Sequence, residues 1–447
     1  MADSIGRRFD ALLDHYVAAC LFLAAFVLAF GGVGDLKTVS AVGLLLCAIG
    51  MVQCPKTADL WGLLPLLLWN GFSMLSSFRA YGNVIDGYAS TQMLYPVMYL
   101  LLSCVSADDR RLLRKLCAGW GVAAAAAGIA GFVYQAIRVG TPPRLGGILG
   151  NPNAMGIFLV VAWFLLPDCG SPLLRRFEPV LLAALALTLS MGSFLSMAAG
   201  IFVLFVLRAR EASLRGALPY LFSLLAKAAL GVGTGILLYL AAARTLMPAV
   251  CLLLVLYLAA LVALWDVFDR FLAAFPKRAA VIAACGVLVA LMAVLVRPSA
   301  AATFAERLEM MGSGLRYLFQ SPLAGVGPYK WRLLDLSDGG KYFNTWHIHN
   351  QWIHVGVELG FPALLCLAFA AARFSRRPKT DCQRAGFLAF FVHNLMDTSF
   401  FYMGITTLAL FAGADPEGKP LSPVLARLLF LLPAMLFACG LFTGLRG

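Results

Sequence analysis

Apolar runs of 18 residues or more recur along the chain, from within the first fifty residues to within the last thirty, and they decide which folds are open to it. Each run can cross roughly 30 Å of hydrocarbon as a helix. Lipid offers the backbone no hydrogen-bond partners, so only helices and closed barrels can span it. The runs are continuous and rich in Leu, Ala and Val, without the alternation of barrel strands, which selects helices. Of the 447 residues 61% are hydrophobic and 13% charged, about half the charged share of a soluble domain. The expected fold is therefore an all-α, polytopic transmembrane helical bundle.

A net charge of +13 would suggest nucleic acid in a soluble chain. Here most Lys and Arg residues lie in short loops between apolar runs, where they set orientation. No helix-turn-helix, finger or aromatic-basic stripe is present, so no nucleic-acid partner is expected. Basic clusters stand at Arg110, Arg111, Arg114 and Lys115; at Arg175 and Arg176; at Arg208, Arg210 and Arg215; and at Arg270, Lys277 and Arg278. The strongest is Arg373, Arg376, Arg377, Lys379 and Arg384. Placing all five in the cytoplasm puts both termini there, the first beside Arg7 and Arg8. The first apolar run lacks a small-residue cleavage site and is expected as a retained span.

The spans then fall near 16–34, 38–54, 58–77, 88–106, 113–137, 154–168, 179–191, 193–208, 216–242, 248–266, 279–297, 351–373, 384–410 and 421–445. That is 14 by hydropathy. The number drops towards 12 if 179–208 is one long helix, or if 216–266 holds a re-entrant piece around Gly231, Gly233 and Gly235. Segments 78–87, 138–153 and 298–350 lie outside. The last is the one large external loop, too short for a core of its own, so residues 1–447 are expected as a single transmembrane domain. Phe304, Leu308, Met311, Leu315 and Phe319, spaced by three and four, predict an amphipathic helix facing lipid or the bundle. No cysteine lies in the external segments, and neither a disulfide framework nor a CxxC zinc pattern is expected.

Those external segments hold nearly all the unusual residues. In Arg144-Leu-Gly-Gly-Ile-Leu-Gly-Asn151-Pro-Asn153, an Arg lies beside Gly-rich backbone and a helix start with Asn153 as N-cap, an arrangement that suits an anion. An ordinary Gly-rich turn re-entering the membrane fits the same residues equally well. Arg307, followed by Ser321-Pro322-Leu-Ala-Gly325-Val-Gly327-Pro328, suits phosphate; alternatively it snorkels or pairs with Glu306 or Glu309. Trp346-His347-Ile-His349-Asn350 continues to His354, Glu358 and Gly360, placing three of the five histidines within eight residues at a membrane boundary. Imidazole titrates near neutrality and is the natural external general base. These histidines do not share a helix face and have no evident carboxylate companion, so no metal is expected; satisfaction by lipid headgroups is the other reading. In His393-Asn394-Leu-Met-Asp397 a carboxylate lies within an apolar span, either as a functional group that orients a His or receives an Arg, or as a structural hydrogen-bonding group. No Walker motif, DxD or nucleophile elbow is present, and no cofactor is expected.

Taken together, these blocks resemble the O-antigen ligase and polymerase superfamily of bacterial envelope enzymes. His349-Asn350, nine residues and Gly360 resemble the ligases' H-N-x9-G signature. The Arg144 to Asn153 and Arg307 to Gly327 segments resemble the other two blocks, in order and spacing. Ala363 departs from a frequent G-x-x-G ending, and Ser190-Met191 stands where Ser-Arg is frequent, so a different Arg or Lys, such as Arg79 or Lys330, is expected to substitute for that cation. The resemblance implies a class C-like glycosyltransferase fold in the bacterial inner membrane, with the active site at the periplasmic face. The donor would be a glycan on undecaprenyl pyrophosphate and the acceptor a sugar hydroxyl of lipid A-core. On this resemblance His349 is expected to deprotonate the acceptor, with inversion and without metal. Arg144 and Arg307 would hold the pyrophosphate, Asp397 or His347 would orient His349 or the acceptor, and Asn153, Asn350 and Arg79 would support them.

An O-antigen polymerase or a protein O-oligosaccharyltransferase would use the same donor with another acceptor; the large external loop and the His349 block favour the ligase. A lipid or solute transporter would show two halves with matching broken helices. No such pairing is evident, and the polar residues gather at one face rather than at the midplane.

Overall fold

The computed structural model describes residues 15–30, 35–139, 144–242, 248–295, 300–340, 345–377, 380–414, 416 and 418–446. In chain order the helices are α1 (Tyr16–Ala29), α2 (Leu36–Gln53), α3 (Leu60–Tyr81), α4 (Ala89–Leu102), α5 (Ala107–Val139), α6 (Pro152–Leu165), α7 (Pro172–Arg175), α8 (Glu178–Thr188) and α9 (Met191–Leu240). They continue with α10 (Pro248–Ala274), α11 (Pro276–Leu295), α12 (Ala300–Gln320), α13 (Lys330–Ser337), α14 (Gln351–Leu359), α15 (Phe361–Ser375), α16 (Asp381–His393), α17 (Met403–Gly413) and α18 (Pro423–Arg446). The one extended element among the described residues is a two-residue antiparallel pair, β1 (Thr57–Ala58) with β2 (Lys419–Pro420). Among the described residues, helices α2, α5, α9, α10 and α18 are long and apolar enough to cross a membrane, and five shorter apolar helices accompany them. This is the all-α membrane architecture that the apolar runs predict.

The structure breaks some of the expected spans and keeps others. The stretch 179–208 is two helices, as the separate spans 179–191 and 193–208 predict: Leu189 adopts φ +50, and the Ser190 side chain caps α9 by accepting from the Ser193 amide. The stretch 351–373 breaks at Gly360, whose φ of +92 suits glycine, with Pro362 in the first turn of α15. The expected span 384–410 is not continuous: α16 stops at His393, and a turn through Asn394–Thr398 precedes α17. The expected spans 193–208 and 216–242 are the two arms of α9, separated by a non-helical break where Ser213 takes φ +73 and ψ 162. No re-entrant break occurs at Gly231–Gly235, which is helical.

The chain forms two compact units. Unit 1 comprises Met1–Leu113, Ala305–Lys379 and Asn394–Gly447; unit 2 comprises Arg114–Phe304 and Thr380–His393. Lipid gives helices no hydrophobic reason to associate, so close packing over small residues has to hold them together. In unit 1 α2 packs on α18 this way. A Cβ on Gly43 or Gly50 would lie 2.6 or 2.3 Å from the rings of Phe437 or Phe430. Asp59, just before α3, accepts from Arg373 of α15 at 2.8 Å and from Tyr99 at 2.9 Å, with Arg377 at 3.5 Å. In unit 2, Gly231 and Gly235 let α9 close on α8, where a Cβ would meet Leu182 Cβ at 2.5 Å or the Ala183 carbonyl at 2.3 Å.

Candidate active site

In unit 1, α12 is amphipathic as the spacing predicts, and the outcome for its faces is specific. Leu308, Leu315 and Phe319 point outward, Phe319 being 78% exposed. Met310 and Tyr317 are buried with Trp331, Ile348 and Val357, and Met311, expected in one stripe with Leu308, Leu315 and Phe319, packs against that cluster instead. Arg307 lies on the packed side, its side chain 15% exposed.

The segment before α14 is held in three places. Asn350 caps the helix, its Oδ1 accepting from Ile353 N–H at 3.1 Å and its Nδ2 donating to Met311 Sδ at 3.3 Å. The Asn350 amide donates to the Ile348 carbonyl at 2.6 Å. The Gln351 amide reaches the carbonyls of Asn394 (2.8 Å) and Asp397 (3.2 Å), which docks the 394–398 turn against the α14 N-terminus.

This docking sets His349 against Asp397, with Nδ1 3.4 Å from Oδ1. The same Oδ1 accepts from Thr398 N–H at 2.9 Å, and Oδ2 lies 3.6 Å from the Arg307 guanidinium. Arg307 also donates to the Met396 carbonyl at 2.6 Å. Side-chain exposure is 28% for His349 and 11% for Asp397, so the imidazole edge is open while its carboxylate is shielded. A carboxylate at Nδ1 favours the tautomer with its hydrogen there and leaves Nε2 as the basic nitrogen. Arg307, His349, Asn350 and Asp397 thus come together as a set. Asp397, expected to orient a His or receive an Arg, meets both from a turn 48 residues beyond His349.

His347 stacks on Phe401, ring centroids 3.9 Å apart. Burial, reinforced by neighbouring His349 and only partly opposed by Asp397, pushes its imidazole down to about 3. It therefore stays neutral in the folded protein, while an unfolded His takes up a proton below about pH 6.5. The unfolded state then binds more protons between those values, so stability falls with pH, by at most about 2 kcal/mol between pH 7 and pH 5. Thermal midpoints at both pH values should show this drop shrinking in His347→Phe, and an equal drop in the variant would clear His347 of it.

Sequence reasoning missed the group beneath this site. His354 and Glu358 are fully buried, one turn apart on α14, with Nε2 3.3 Å from Oε2. The Ile348 amide points at His354 Nδ1 (3.4 Å), which in the neutral ring leaves the hydrogen on Nε2, towards Glu358. Glu358 also receives the Tyr88 hydroxyl at 2.5 Å and the backbone N–H groups of Tyr329 (2.9 Å) and Trp331 (3.2 Å). Its carbonyl accepts from Gly327 N–H and Ser76 Oγ. Gly325 and Gly360 make these approaches possible: a Cβ on Gly325 would lie 2.3 Å from the Glu358 carbonyl, and one on Gly360 2.4 Å from that of Leu323. The glycines of both motifs are thus packing elements here. The available signal was an Asp/Glu-type residue four positions after a His in an apolar run.

In unit 2, Arg144 donates from Nε to the Thr188 carbonyl (2.8 Å) and from a terminal nitrogen to Asn153 Oδ1 (2.9 Å). The α6 N-cap is Asn151, not Asn153: its Oδ1 accepts from the Asn153 and Ala154 amides at 2.8 and 3.2 Å. Pro152 at the first helical position fixes that register. Asn153 instead orients Arg144. The His393 to Asp397 motif divides, His393 ending α16 in unit 2, where its Nε2 lies 3.3 Å from Ser193 Oγ. Arg79 is exposed in the last turn of α3, and Lys330 lies over the Tyr81 ring at 4.6 Å. Among the described residues, no group of three His, Cys, Asp or Glu is arranged to hold a metal. No protein-family model matches the chain, and no curated protein matches it.

Proposed function

We propose that the protein is a glycosyltransferase of the O-antigen ligase type, moving a glycan from undecaprenyl pyrophosphate to a sugar hydroxyl of lipid A-core at the periplasmic face of the bacterial inner membrane. The observation that carries this reading is Asp397 bridging His349 and Arg307. A carboxylate that orients one imidazole nitrogen leaves the other to take a proton from an acceptor hydroxyl. That oxygen attacks the anomeric carbon with inversion as the anomeric C–O bond to pyrophosphate breaks. An arginine beside the base is suited to the negative charge that develops on the leaving group. Both termini lie in the cytoplasm on this reading, with 298–350 outside.

The test is transfer by purified protein with lipid-linked glycan, lipid A-core and EDTA. High-molecular-weight lipopolysaccharide is the expected product. Elongated lipid-linked glycan without transfer to core would make the protein a polymerase, and no product from a folded preparation would end the transferase reading.

A further inference from the structure

Helices α12 and α13 border a cavity of about 360 Å³ lined by Glu309, Ser313, Arg316, Asp335, Asp338 and Gly340. That volume lies within the range of small-molecule sites. Glu309, Ser313 and Arg316 are spaced by four and three, so they share a face of α12, away from both Arg307 and the outward apolar stripe. Asp335 is 3% exposed. Its Oδ1 accepts the Ser313 hydroxyl at 2.5 Å, while its Oδ2, on the side of Gly340, has no hydrogen-bond partner. A buried carboxylate oxygen without a donor is costly, which calls for a ligand that supplies one. Asp338 receives the Tyr317 hydroxyl at the same wall.

One turn back along α13, Arg332 stacks on Trp346 at 4.1 Å and leaves that indole 50% exposed. Trp346 is three residues before His349. The cavity wall therefore mixes acceptors (Glu309, Asp335, Asp338) with donors (Ser313, Arg316), and an aromatic face stands nearby. An ammonium ligand would meet Arg316 as a like charge. Sugar hydroxyls both donate and accept, and a sugar ring offers an apolar face to an aromatic.

We propose that this cavity is a carbohydrate subsite that takes a sugar ring of the glycan, with Asp335 receiving ring hydroxyls and Trp346 flanking them; the choice of glycan rests on the glycosyl-transfer reading. It is tested by direct binding. Saturation-transfer NMR on the purified full chain would use the methyl glycosides of glucose, galactose, rhamnose and N-acetylglucosamine, with ethanolamine as a cationic control. Binding of at least one glycoside is expected, weakened about tenfold or more in both Asp335→Asn and Trp346→Ala and unchanged in His349→Ala. Should Asp335→Asn fail to fold, Trp346→Ala carries the test on a half-exposed side chain. Ethanolamine binding alone, no glycoside binding, or glycoside binding indifferent to both variants overturns the subsite. The transfer assay on the same preparations separates the two claims. Transfer lost in His349→Ala without glycoside binding removes only the subsite, and glycoside binding without any wild-type transfer removes only the ligase.

Discussion

Replacing His349 with Ala is expected to slow glycan transfer by about 10²- to 10⁴-fold, the usual contribution of a positioned general base. That range corresponds to about 3–5 kcal/mol of transition-state stabilisation. The fold should not suffer, because the imidazole is partly exposed and Asp397, at 3.4 Å, keeps Thr398 N–H and Arg307 as partners. Asp397→Asn is expected to cost less turnover but to act twice. Its amide oxygen can keep the Thr398 and His349 contacts only by turning the NH2 towards the Arg307 guanidinium, donor against donor. Turnover should fall through His349, and KM for the lipid-linked donor should rise as Arg307 shifts. Initial rates against donor and acceptor, on preparations with unchanged melting temperature, separate these effects. Full turnover in a folded His349→Ala protein would leave the Asp397 cluster a structural feature.

The helices were legible because period and length are properties of a local window. The break at Asn394–Asp397 was less so, because its cause is tertiary. Asn394 and Asp397 leave the helix within an apolar run, and their carbonyls are taken by the Gln351 amide. No local rule announces a partner more than forty residues away. The same fact explains why no carboxylate seemed placed with the histidines. For α12 the pattern gave the right helix but not which side faces outward, since Met310, Met311 and Leu318 compete with Leu308, Leu315 and Phe319 for the core. The Asn153 cap was a misreading of available signals: Pro152 favours the first helical position and so points to Asn151 as the cap. Arg307, His349 and Asp397 were each readable as residue types, Asp397 as a group to orient a His or receive an Arg, whereas its bridging both at once required the fold.

Glu358 shows the same dependence and yields the second large effect. Its two oxygens each accept a backbone N–H, Oε2 from Tyr329 and Oε1 from Trp331. An amide in its place has one oxygen, so either flip of Glu358→Gln aims NH2 at a backbone donor. Glu358→Ala strands both amides and leaves the Tyr88 hydroxyl and His354 Nε2 only their longer contacts, 3.4 Å to each other and 3.3 Å from His354 to His347 Nδ1, in a site with no water access. Losing one member of such a buried group costs about 3–5 kcal/mol. At about 2–4 °C per kcal/mol for a unit of this size, the melting temperature should drop on the order of 10 °C. Activity should fall with it, because His354 holds the Ile348 amide and Ile348 precedes the base. Glu358→Gln should melt between wild type and Ala, while Tyr88→Phe, which removes only one donor, should cost about 1–2 kcal/mol. If Glu358→Ala instead melts with the wild type, the loops before α13 and α14 are held by apolar packing of Trp331 and Ile348, and the carboxylate is free to have another role.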